Sequence, residues 1–146
     1  MRQRILREGA VPVSDALTDH SHAVWAGLAF EHFCKANQKA IAKALGFSSV
    51  KYDVGTWYDK NDQGRKAQID LVYVRADNVV TICEIKFQSR PVDVDVIGEM
   101  EKKILVFPEK KVQTIEKVLI TLSPPTRKLE DEGYFHRILA VDDVFG

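Results

Sequence analysis

The chain has few of the residues that mark specialised protein classes. Its 146 residues include two cysteines, five prolines and eight glycines. Two thiols without paired metal-ligand spacing exclude a disulfide scaffold and a zinc module. Cys83 lies inside an apolar run, and both thiols read as reduced core residues of a cytoplasmic protein. Pro and Gly at this level exclude a low-complexity chain. No stretch approaches the roughly 18 apolar residues of a membrane span, so no membrane partner is expected. The opening Met1-Arg-Gln-Arg-Ile-Leu-Arg-Glu lacks the apolar core of a signal peptide. There is no G-x-x-x-x-G-K-[ST], hence no P-loop, and no internal repeat. Net charge is also absent: 21 Lys and Arg balance 21 Asp and Glu. Taken alone, that balance argues against a polyanionic partner.

The distribution of charge is less even. Residues 1–66 carry ten Lys/Arg against seven Asp/Glu, and 100–128 carry seven against three. Residues 67–99 carry three against six, and 129–146 one against five. A central acidic excess is what a metal site needs, and basic flanks suit phosphates; a normal mixed surface would also look like this. The length fits one domain with a core of ordinary size.

The pattern divides the chain into an N-terminal arm, 1–22, and a folded domain, 23–146. In the arm, His20 and His22 alternate like metal ligands but lack a third, so they read as surface or capping residues. A helix is predicted from about Ala23 to Leu45, with Trp25, Leu28, Ala29, Phe33, Ala36, Ala40, Ile41, Ala44 and Leu45 at helical spacing. Ser21 is its expected N-cap and Gly46 its stop. Gly27 inside it suggests a close packing contact. A strand follows from Val50 to Tyr58, then a polar turn with a basic tip at Arg65 and Lys66. A second helix is predicted from Asp93 to Phe107, ended by Pro108. Further strands are expected within Val112–Leu122, best seen at Lys117–Leu122, and at Tyr134–Ala140, before a closing turn or short helix at 141–145. The order α-β-β-β-α-β-β implies an α/β protein with a mixed sheet flanked by helices.

Two runs rich in β-formers, 68–75 and 79–86, separated by Ala76-Asp77-Asn78, read as a hairpin. With the turn centred on Asp77, Asp70 lies opposite Glu84 and Gln68 opposite Lys86. All four then share one face. A slip of one residue, such as a bulged turn produces, would break that arrangement. Opposed carboxylates with Cβ atoms roughly 5 Å apart repel, and among apolar neighbours an unpaired charge is costly. A hard divalent cation, Mg²⁺ or Mn²⁺, removes both objections. Lys86 sets a positive charge beside it, as phosphodiester chemistry requires. The plainer alternative is an ion cluster at the sheet margin, in which Asp70 and Glu84 pair with Lys86 or Arg75. Glu31 and Lys35 are a simple i, i+4 pair, or else Glu31 is a third carboxylate delivered from a packed helix.

The order of elements, with Glu31, Gln68-Ile-Asp70 and Glu84-Ile85-Lys86, resembles the PD-(D/E)xK nuclease superfamily, the restriction-endonuclease-like fold with its αβββαβ core. More narrowly, residues 23–146 are similar to the nuclease-like domain at the C-terminus of many predicted prokaryotic ATPases. Ile69 stands where the motif's name has proline. The resemblance implies that Asp70, Glu84 and the Ile85 carbonyl ligate Mg²⁺, with Mn²⁺ as substitute, and that Glu31 joins them directly or through water. It implies that Lys86 orients or helps deprotonate the attacking water, and that Gln68 holds the lysine or the scissile phosphate. The expected activity is a metal-dependent DNA endonuclease, with RNA less favoured, although Trp57 and Tyr58 offer surfaces for stacking bases. Dimers are common where this fold cuts both strands, so a homodimer is among the implied partners, as is a separate ATPase. The competing expectation is a non-catalytic nucleic-acid-binding or regulatory module that works with such an ATPase.

Overall fold

The computed structural model describes residues 15–60, 66–108 and 114–141. The predicted arm up to residue 14, the basic tip at Arg65 and the closing segment 142–146 lie outside the described residues. Helices α1 (Asp15–Ala36) and α2 (Gln38–Leu45) precede three strands, β1 (Tyr52–Lys60), β2 (Lys66–Arg75) and β3 (Val79–Lys86). Helix α3 (Asp95–Val106), β4 (Thr114–Thr121), α4 (Arg127–Glu132) and β5 (Arg137–Ala140) follow. The sheet runs in the order β1-β2-β3-β4-β5. Its first three strands pair antiparallel, whereas β3, β4 and β5 pair parallel through crossovers carrying α3 and α4. This is the expected α/β architecture, with a mixed sheet flanked by helices.

The predicted first helix is two. Asn37 interrupts it by turning its side-chain Nδ2 onto the Phe33 carbonyl at 2.8 Å, a local bond that competes with helix propagation. Helix α1 also begins at Asp15, so Ser21 lies inside it rather than capping it. Gly46 does stop α2, at φ +88°, a left-handed conformation in which a side chain is strained. Among the described residues, nothing beyond the helix's own backbone comes within 4 Å of where a Cβ on Gly27 would sit, so they do not supply the expected close contact. Trp25, Leu28 and Phe33, predicted to face the core, are 67%, 52% and 44% exposed. Helix α1 packs through Phe30 and Cys34 instead.

Two apolar clusters cover the two faces of the sheet. Phe30, Cys34, Ile41, Leu45 and Phe47 pack on Leu71, Tyr73, Cys83, Ile85, Val118 and Ile120. On the opposite face, Val92, Val96, Met100 and Leu129 pack on Ile69, Val72, Val80, Ile82 and Leu119. Each fully buried Leu, Ile or Val contributes about 1.5–3 kcal/mol, so both faces are firmly held. Tyr73 ties α2 to the sheet: its hydroxyl donates to the Gln38 carbonyl at 2.7 Å, while Tyr52 donates to the Gln38 side-chain Oε1 at 2.7 Å. Both thiols are free and fully buried. Helix α4, which the sequence pattern missed, is capped by Thr126, whose Oγ1 accepts from Leu129 N at 3.1 Å and donates to Asp93 at 2.9 Å.

Candidate active site

The central hairpin has the predicted register. Leu71 faces Cys83, Val72 faces Ile82, Tyr73 faces Thr81 and Val74 faces Val80. The turn needs a positive φ at Asn78 (+65°), which asparagine tolerates. Pairing stops at Leu71–Cys83, so Asp70 and Glu84 stand one step beyond the ladder.

A bulge decides where Asp70 goes. Gly55 faces Val72 but Trp57 faces Ile69, so Thr56 alone opposes both Asp70 and Leu71. Thr56 Oγ1 donates to the Asp70 carbonyl at 3.0 Å. The extra residue breaks the alternation of sides: Ile69 and Val72 both belong to the α3-side core. Asp70, 8% exposed, is turned toward α1, where its carboxyl lies close enough to act on that of Glu31. Gln68 donates from Nε2 to Asp70 Oδ1 at 2.9 Å. Gln68 thus serves Asp70, not Lys86.

Burial raises the Glu31 carboxyl above its usual range, and the nearby Asp70 carboxyl raises it further. Glu31 thus takes up a proton more readily than a free carboxyl does, as a carboxylate crowded by another does. The nearby Cys34 thiol is pushed up to about 12 by burial, with the same two charges adding to it.

Glu84 and Lys86 alternate on β3 and face α3. Two strand residues span about 6.6 Å, and four helical residues span about 6 Å. The spacing of Glu99 and Lys103 on α3 therefore matches that of Glu84 and Lys86, with the charges crossed. Lys103 Nζ donates to Glu84 Oε1 at 2.7 Å, and Lys86 Nζ donates to Glu99 Oε1 at 2.7 Å. Lys86 Nζ also lies 3.7 Å from Glu84 Oε2. Glu84 is only 2% exposed, so this is a buried ion pair rather than a solvated margin. Burial by itself lowers the Lys86 affinity for its proton. The Glu99 hydrogen bond and the Glu84 charge outweigh it, and the ammonium is held above its usual range. Lys86 is a cation here, not a base. A cleft of about 430 Å³ opens beside it, lined also by Gln88, Arg90, Asp95 and Glu99.

The predicted residues thus gather in two groups: Glu31, Asp70 and Gln68 on the α1 side, and Glu84 with Lys86 on the α3 side. Ile85 lies between Glu84 and Lys86 in sequence, with its side chain in the α1-side core. Among the described residues, no group of three or more His, Cys, Asp or Glu side chains is placed to hold a metal ion. The donor chemistry nevertheless fits a hard cation. Glu31 and Asp70 offer oxygen ligands already set close together, and a divalent ion relieves their repulsion. Arg75, the other proposed partner for these acids, is committed elsewhere. It pairs with Asp77 at 2.6 Å and Glu116 at 3.2 Å, and covers the Phe47 ring at 4.3 Å. Trp57 is packed against Phe107 with ring centroids 5.2 Å apart, which leaves Tyr58 the more exposed of the two. Sequence reasoning missed Glu99 and Lys103. Their signal was the i, i+4 spacing on a helix that had to cover the Glu-x-Lys strand.

This mixed sheet with its flanking helices is an α/β fold that a solved structure shares. A crystal structure of a repair endonuclease from Pyrococcus abyssi is similar to it, with a TM-score of 0.51 at 15% identity over 80% of this chain. The likeness covers 46% of that chain, so the present chain spans less than half of its length. At this identity the likeness establishes shared architecture. No protein-family model matches the sequence, and no curated protein does. No helix among the described residues is long and apolar enough to cross a membrane.

Proposed function

We propose that the protein is a cytoplasmic, Mg²⁺-dependent endonuclease acting on DNA, with Mn²⁺ as a substitute, through Glu31, Asp70, Glu84 and Lys86. The observation that carries this reading is that Glu31 on α1 and the buried Asp70 on β2 stand close enough for one charge to act on the other. Two acids from different elements thus crowd a partly buried point of the fold. Such crowding is unfavourable unless a cation or proton sits between them. A bound divalent ion would supply polarisation of a phosphate oxygen and a more acidic water. Asp70 and Glu31 would hold it, with Gln68 fixing the Asp70 carboxylate. The Lys86 ammonium would stabilise negative charge developing on the phosphate, a fixed electrostatic role. The cleft beside Lys86 would admit the strand.

Cleavage of supercoiled plasmid and of labelled duplex, branched and single-stranded DNA and RNA, in Mg²⁺, Mn²⁺ or EDTA, tests the reading. Metal-dependent cutting absent from Asp70→Ala and Lys86→Ala, both folded, is the expected result. Wild-type protein that cuts nothing with either metal would sink it. A second reading, a regulatory module that works with a separate ATPase, is favoured by one feature. Glu84 is already neutralised by Lys103 and Lys86. Metal binding without cleavage would favour that reading.

A further inference from the structure

A line of residues at a spacing of four leads away from the acid pair: Glu31, Lys35, Lys39 and Lys43. Glu31 and Lys35 lie on α1, Lys39 and Lys43 on α2, across the bend at Asn37. Within each helix such residues share a face and stand about 6 Å apart. On α2 that face is the outer one: Ile41, Ala42 and Leu45 are buried, while Lys39 and Lys43 are exposed. Phe30, the neighbour of Glu31, packs on Phe87, the neighbour of Lys86, with ring centroids 5.2 Å apart. The stripe therefore begins at the end of β3 that carries Lys86. It ends near β5, where Arg137 Nη2 donates to the Ala44 carbonyl at 3.1 Å and brings a guanidinium to the residue after Lys43.

The fold gains little from these cations. Arg75, Lys86 and Lys103 each hold a carboxylate, whereas Lys35, Lys39 and Lys43 make no ion pair among the described residues. Helix α2 has no acid in its first turn, and Lys39 sits there, where the positive end of the helix dipole opposes a cation. Lys39 and Lys43 also repel each other at the i, i+4 spacing. A polyanion relieves an unbalanced run of this kind, which stands out in a chain of zero formal net charge.

We propose that Lys35, Lys39 and Lys43 form a track along which the phosphate backbone of duplex DNA runs to the Glu31–Asp70 site. The direction of the track rests on the nuclease reading above, whereas binding along it needs neither metal nor cleavage. Helix α2, Gln38–Leu45, contains no aromatic residue on which the bases of a single strand could stack, which favours a duplex. Contacts to phosphates position the duplex and read no sequence.

Fluorescence anisotropy of a labelled DNA duplex with the full chain, in EDTA to prevent cleavage and over a series of KCl concentrations, tests the track. Lys39→Gln/Lys43→Gln should bind at least about tenfold more weakly than wild type. The slope of log K against log [KCl] should flatten by about two, one for each lost phosphate contact. Lys39→Arg/Lys43→Arg keeps the charges and should bind as wild type does. Lys102→Gln/Lys128→Gln, which removes two exposed lysines from α3 and α4, should also bind as wild type does. If the α2 glutamine pair fails to fold, Lys35→Gln on α1 serves, with a slope flattened by about one. Equal weakening by the two glutamine pairs would overturn the proposal, because binding would then follow net charge. Unchanged binding by Lys39→Gln/Lys43→Gln overturns it too, as does an RNA duplex bound more tightly than DNA. The expected pattern from a wild-type protein that cuts nothing with Mg²⁺ or Mn²⁺ upholds the track and sinks the nuclease reading alone.

Discussion

The hydroxyl of Thr56 on β1 donates to the carbonyl of Asp70 on β2 at 3.0 Å, at the point where one residue faces two. That bond holds the bulge that turns Asp70 toward Glu31. Replacing Thr56 by Val removes it while keeping a β-branched side chain. The expected loss is about 0.5–1.5 kcal/mol in denaturant unfolding, with weaker Mn²⁺ binding by calorimetry. Binding as tight as wild type would mean that the bulge needs no such support.

Glu31 should leave a signature in the pH dependence of stability. Its folded pKa is raised above the ordinary 4.5, so the folded chain holds this proton more tightly than the unfolded one. Stability from that source is fully present below the ordinary value and is lost as pH rises through the raised one. In EDTA, Glu31→Gln should gain on wild type by a few degrees in Tm between about pH 4 and pH 8. Saturating Mn²⁺ should close the gap, because the cation stabilises only the protein that retains both acids. A gap independent of pH would remove the raised Glu31 carboxyl from the account.

Lys86 is held as a cation, and its contribution should follow charge rather than proton transfer. Lys86→Met should lower the cleavage rate by about a hundredfold or more, the scale of one preorganised electrostatic donor. Lys86→Arg should retain a measurable fraction of the wild-type rate. Equal inactivity of the two variants in plasmid cleavage would point to a proton-transfer role that arginine cannot take.

The thiols should be inert in the folded protein. Cys34 is fully buried and pushed up to about 12, and Cys83, also fully buried, is raised as well. Thiolate, not thiol, is the reactive form. Ellman's reagent at neutral pH should therefore label both only after unfolding. Prompt labelling of either would show a local opening of the core on the α1 side.

Much of the hairpin was readable in the sequence. The turn Ala76-Asp77-Asn78, flanked by β-branched runs, sets the register through Leu71–Cys83, as predicted. Gly46 and Pro108 also mark the ends of α2 and α3 as expected. The bulge was not readable from β2, which has no break in its pattern. Its only trace is Gly55 on the neighbouring strand, since an isolated strand glycine often accompanies a bulge. For that reason Asp70 and Glu84, predicted on one face, serve opposite layers. Lys103 was hidden for another reason. Nothing in its sequence surroundings sets it apart from other helix lysines; only the packing of α3 on β3 does. The exposed Trp25 and Leu28 show the limit of helical spacing as evidence, because the period cannot reveal which half of a helix meets the sheet.

The crossed charges between β3 and α3 also act as a key. Sliding α3 by one turn would bring Glu99 against Glu84 and Asp95 against Lys86, placing two acids together where Glu84 has almost no solvent. Apolar packing alone tolerates such a slide far better, because Val96 and Met100 present similar bulk one turn apart. The polar lattice thus rejects misregistered dockings of the helix, and it selects one seating of α3 from several that the hydrophobic layer would accept.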